Sequence, residues 1–116
     1  MVDGPKITPN LSANVAWLYD WLVKNDHAVN LPKSEAEMFR ILKVAEELGE
    51  VAQALIGARG QNPRKGHTHI RQDVADELCD VALTALVALN DYEKDPVSYF
   101  VQFVMRNRAR AEMSVK

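Results

Sequence analysis

A chain of 116 residues suits a single domain spanning 1–116, large enough to bury a core but small for one that must also enclose a pocket. With 47% apolar and 26% charged residues and a formal charge of -2, the composition excludes a disordered chain and argues against a broad nucleic-acid-binding face. The single Cys79 excludes an intramolecular disulfide framework and fits a reducing compartment, so the expected location is cytoplasmic.

In chain order, Met1 to Asn10 is polar and contains proline, unlike a signal peptide. Thr8-Pro9 resembles a helix cap followed by proline, and Leu11, Val15, Leu18 and Leu22 recur at helical spacing, which predicts a first helix over 9–26. His27 to Lys33 contains Asn30 and Pro32 and is expected to be a linker. Ser34 and Glu37 have the spacing of a capping box, and the stripe Ile41, Ala45, Leu48, Ala52 and Leu55 predicts a second helix over 34–58.

The stretch Gly57 to Gly66 carries three glycines, a proline and three cations, and is expected to be a basic loop. Helical periodicity then runs over 69–90 and ends at Asn90-Asp91. Its most apolar part, Val81 to Leu89, has about half the roughly 20 residues needed to cross a bilayer, so no membrane span is expected. Asp95-Pro96 repeats the cap-then-proline pattern and opens a last helix over 96–113. With no sustained strand alternation, the predicted fold is all-α, a four-helix bundle-like protomer.

One eight-residue phrase occurs twice, thirty positions apart: Ala45-Glu46-Glu47-Leu48-Gly49-Glu50-Val51-Ala52 and Ala75-Asp76-Glu77-Leu78-Cys79-Asp80-Val81-Ala82. At about 100° per residue, each copy sets its acidic residues away from an apolar stripe centred on Leu48 or Leu78. The third helix continues beyond Asp80 with apolar residues all round, which predicts burial on every side and places Asp80 at the edge of the core.

If the two helices bring Glu47, Glu50, Glu77 and Asp80 within about 4 Å, each like-charge contact costs roughly 4 kcal/mol at an effective dielectric near 20. Several such contacts rival the whole stability of a small domain, about 5–15 kcal/mol. Lys43 and Arg40 are too few to neutralise the group; on the competing reading of a solvated acidic face they make weak surface pairs. All-oxygen ligation at i, i+3 spacing suits Mg²⁺ or Mn²⁺. The competing expectation is a solvated acidic face on each helix.

The run Glu46-Glu47-Leu48-Gly49-Glu50, followed by Glu77-Leu78-Cys79-Asp80, resembles the EExxE…ExxD signature of the MazG-like all-α nucleoside triphosphate pyrophosphohydrolases. The resemblance implies Mg²⁺-dependent cleavage of a (d)NTP to a monophosphate and pyrophosphate, in nucleotide-pool house-cleaning. It implies Glu47, Glu50, Glu77 and Asp80 as metal ligands, with Glu46 and Glu47 in the catalytic role of orienting or deprotonating water. Lys43, Asn107 and Arg110 would contact the nucleotide, although Gln102 stands where a lysine is expected.

Trp17 and Trp21, at i, i+4, are either core or a shelf for the base, with Trp17 the candidate nucleotide contact. The loop residues Arg59, Arg64, Lys65 and His67 either close over the phosphates or form a solvated turn. His67 and His69 are expected to be solvated rather than metal ligands, because no further His or Cys supports them. Alternatives are a phosphoribosyl-ATP pyrophosphohydrolase and a non-enzymatic helical interaction module. A homodimer or dimer-of-dimers tetramer is expected, because four short helices cannot bury the third on all sides.

Overall fold

A computed structural model describes residues 7–25 and 30–114. The described residues form four α-helices and no strand: α1 Leu11–Asn25, α2 Lys33–Arg59, α3 Arg71–Leu89 and α4 Pro96–Ser114. The all-α expectation therefore holds, with helix bounds within two residues of those read from the sequence. The predicted end of the first helix at Asp26 and residues 27–29 of the linker lie outside the described residues. No helix among the described residues is long and apolar enough to cross a membrane.

Two of the expected caps differ. The carboxamide of Asn10, not Thr8, accepts the backbone N–H of Ala13 at 2.9 Å, so α1 begins after Asn10. Pro32 takes the N-cap position of α2 with no side-chain cap bond, which places Ser34 inside the helix and dissolves the expected capping box. The Asp95-Pro96 cap is present: Asp95 accepts the N–H of Ser98 at 3.2 Å. At α3, Asp73 reaches back to accept the N–H of Ile70 at 2.9 Å.

α2 runs through Gly57 and stops at Gly60, whose left-handed φ of 65° closes the helix with N–H bonds to the preceding turn. Gly57 is buried because the chain returns directly over it. A Cβ there would collide with the side chains of His69 and Thr68, and Thr68 donates its N–H to the Gly57 carbonyl at 3.1 Å. This close approach aims α3 back along α2. The far end of the pair is tied by Arg40 to Asp91, so the two helices are antiparallel.

The hairpin packs in a way that the apolar stripes do not suggest. On α2, Ala36, Arg40 and Ala54 fall within about 20° of Glu47, and these are residues withdrawn from solvent. On α3, Thr84 and Ala88 fall within about 20° of Glu77. Each helix therefore turns its glutamate face to the other, and small residues flanking the glutamates let the backbones approach. The predicted stripe is about a quarter turn away and is uncovered: Leu48 is 59% exposed and Leu78 is 52% exposed.

The third helix is consequently not buried on all sides. Val87 and Ala88 are buried, but Ala82, Leu83 and Ala85 are exposed, as is Asp80. α1 packs on α3 and α4, and its Val15 is fully buried. α4 is anchored by buried Pro96 and Val97, touches α1 and α3 but not α2, and is exposed at every residue from Ser98 to Ser114.

Candidate metal centre

The middle of the hairpin is where the two phrases meet. Glu47 and Glu77 face one another there, and Asp80 follows Glu77 by three residues; carboxylate oxygens of the three lie within 4.8 Å of one another. Together these three carboxylates would offer a hard cation oxygen ligands from both helices. Glu77 Oε2 is buried with no hydrogen-bond partner. A buried carboxylate oxygen without a donor is costly, and a hard cation would satisfy it. The all-oxygen donor set therefore fits Mg²⁺ or Mn²⁺.

The electrostatics point the same way. Burial raises the Glu47 carboxyl above its ordinary value, helped by Glu50 and Asp80 and opposed by Lys43. Glu77 is raised by burial, then by Glu50, Asp80 and Glu47. Glu50 thus acts on both central glutamates, although it is not one of the three converging groups. Of the four residues expected as ligands, Glu47, Glu77 and Asp80 converge and Glu50 lies outside that trio.

Lys43 is the cation at this site. Its ammonium lies 3.1 Å from Glu46 and 3.8 Å from Glu47, and hydrogen bonding to Glu46 holds its pKa above the ordinary value. Glu46 is exposed and follows Lys43 on the rim of the cavity described below. Arg40 does not make the expected weak surface pair. It forms a two-pronged bond to Asp91, at 2.5 and 2.8 Å, with its side chain 11% exposed and that of Asp91 fully buried.

Tyr19 donates to the same Asp91 at 2.5 Å and lies under the Arg40 guanidinium, 5.3 Å from ring centroid to Cζ. Burial and the hydrogen bond to Asp91 push the Tyr19 hydroxyl up to about 12. This cluster joins α1, α2 and the turn after α3. It escaped the sequence reading because Tyr19 and Arg40 lie 72 and 51 positions from Asp91 and the three belong to no common motif.

Beside the carboxylates, α1, α2 and α3 enclose an open cavity of about 790 Å³. Its wall is largely apolar, with Leu18, Trp21, Phe39, Leu83 and Val87, and its polar rim carries Lys43 and Glu46. Trp21 lines the cavity. Trp17 does not, but stacks near-parallel behind Trp21 with ring centroids 6.5 Å apart. Among the candidate nucleotide contacts, the cavity therefore brings Lys43 alone to its rim.

Asn107 and Arg110 stand apart, on a helix that does not touch α2. Asn107 donates to the Phe103 carbonyl at 2.8 Å and accepts from Arg110 at 2.8 Å. The two histidines brace the loop. His67 Nδ1–H donates to the Ala58 carbonyl at 3.0 Å, and His69 Nδ1 lies 2.8 Å from the Thr68 hydroxyl. Arg59, the last residue of α2, is exposed, as are Arg64 and Lys65 on the loop. Comparison with protein-family models, curated proteins and solved structures finds no match to this chain.

Proposed function

We propose that the chain is a Mg²⁺-dependent nucleoside triphosphate pyrophosphohydrolase, cleaving a (d)NTP to the monophosphate and pyrophosphate. The observation that carries this is the trio Glu47, Glu77 and Asp80, with a buried, unpartnered oxygen on Glu77, beside an apolar cavity large enough for a nucleoside. The resemblance of the two acidic phrases to the MazG-like signature supplies the reaction class.

Glu47, Glu50, Glu77 and Asp80 would hold the cation, with Mn²⁺ an acceptable substitute. When bound, Mg²⁺ supplies positive charge against the phosphates and makes water more acidic. The apolar wall at Trp21 and Phe39 would take the base, with Trp17 supporting Trp21 from behind. Lys43 at the rim would face a phosphate, and Glu46 beside it would orient the attacking water and accept its proton. That Lys43 now spans Glu46 and Glu47 suits this role, because an incoming phosphate could draw it away and free Glu46.

A panel of NTPs and dNTPs with Mg²⁺, resolving pyrophosphate from orthophosphate, tests the proposal. Pyrophosphate with a nucleoside monophosphate is expected, and orthophosphate alone would refute the assigned bond. Glu77→Gln and Glu50→Gln should each lower kcat/KM by at least about 100-fold, since even outer-shell changes at metal sites cost about 10- to 100-fold.

A further inference from the structure

We infer that the hollow at the turn of the hairpin, between the end of α2 and the loop that follows, binds a single phosphate group without metal. The ligand is inorganic phosphate or a phosphate monoester, and the site does not depend on whether the nucleotide reaction is as proposed. This second cavity is about 260 Å³ and is lined by Gln53, Asn62, Lys65, Thr68 and His69 beside the bare backbone of two glycines. Pockets for drug-sized ligands start near 300 Å³, so this one suits a small ion or one end of a longer molecule.

The lining offers donors and contains no carboxylate. Asn62 uses its side-chain oxygen to accept the N–H groups of Arg64 and Lys65, at 3.1 and 3.4 Å, which leaves its amide NH₂ to donate. His69 Nδ1 lies 2.8 Å from the Thr68 hydroxyl; with that hydroxyl donating, the ring proton is on Nε2, a further donor. Lys65 adds a full positive charge, and an ammonium is a recurrent partner of phosphate. What this set lacks is an ionised acceptor.

The surroundings carry the same sign. From Val51 to Gln72 the chain has Arg59, Arg64, Lys65 and Arg71 and no Asp or Glu, although the whole chain carries -2. Among the described residues none of these four cations forms an ion pair. The hollow is also separate from the metal centre. Gln53 is six residues beyond Glu47, about 9 Å along α2. Thr68 bonded to Gly57 and His67 bonded to Ala58 hold the loop against the end of α2, away from the carboxylates. The donors are therefore fixed in place before a ligand arrives, which lowers the cost of binding.

The test is thermal melting of the full chain, without metal or nucleotide, titrated with inorganic phosphate or methyl phosphate against potassium chloride at matched ionic strength. Phosphate is expected to raise Tm saturably beyond chloride. Lys65→Ala should move half-saturation to a concentration at least about tenfold higher, because it removes a charged donor, and Lys94→Ala should behave as wild type. An equal response to methyl phosphate assigns the site to the end group of a monoester, and a response to inorganic phosphate alone assigns it to the free ion. Proton NMR of the His69 ring should shift with the same midpoint. A gain no larger than with chloride, a gain that Lys65→Ala keeps in full, or an unmoved His69 ring would overturn the inference and leave a general salt effect or an adventitious ion only. Lys65→Ala should also keep the wild-type response to Mg²⁺, and loss of both responses would overturn the separation of the two sites.

Discussion

The interior of the α2–α3 hairpin holds carboxylates, and its outer face holds leucines, the reverse of an ordinary amphipathic pair. Inside, Glu47 is only 12% exposed at its side chain, and Glu77 has a buried oxygen with no partner. Outside, Leu48 and Leu78, each the next residue along, are more than half exposed. Neither arrangement is favourable for an isolated chain: like charges repel inside, and apolar area stays wet outside. The difference teaches that apolar periodicity alone does not decide which face of a helix is packed against its neighbour.

Breaking the frame that holds the two surfaces apart should have the largest effect. Asp91→Ala would leave the Arg40 guanidinium nearly buried without its carboxylate, and Tyr19 without its acceptor. A loss of about 3–5 kcal/mol is expected, measured by urea denaturation. A loss under 1 kcal/mol would mean that the cluster does not hold α1 to the hairpin. Gly57→Ala acts at the other end, where a Cβ must displace His69 and Thr68. It should cost about 1–3 kcal/mol by overpacking, and the same denaturation assay reads it.

The helices and their order were legible in the sequence, because prolines, glycines and the 3.6-residue period mark them locally. Asp95-Pro96 worked as a cap since both the acceptor and the fixed φ are local properties. Ser34 failed since Pro32 had already begun the helix. The rotation of α2 was not legible. Periodicity locates the apolar face at Leu48, but it does not say whether the chain's own helices cover that face. The acidic phrase was visible and its role as a cluster was too, whereas its position at the helix contact depended on small flanking residues such as Ala54 and Gly57. Trp21 rather than Trp17 lines the cavity because that choice rests on how α1 is rotated against α2.

The smallest effect sharpens the inner surface alone. Glu47 and Glu77 have pKa values raised above the ordinary 4.5, chiefly by burial, so the fold favours their protonated forms. Their contribution to stability is present below about pH 4.5 and is lost as pH rises through the raised folded values. Without metal, the melting temperature should fall across that window, and Glu77→Gln should flatten the fall. A metal-free melting curve with the opposite slope, unchanged in the variant, would place these groups in water.

The most direct measurement is thermal melting of wild type and Glu77→Gln at neutral pH, with and without Mg²⁺. Wild type should be stabilised saturably, by about 2.7 kcal/mol at a hundredfold excess over the dissociation constant. Glu77→Gln should melt higher than wild type without metal and lose most of the response to Mg²⁺. A wild-type chain indifferent to Mg²⁺, or a variant that responds as wild type does, would contradict a cation site between the two glutamate faces.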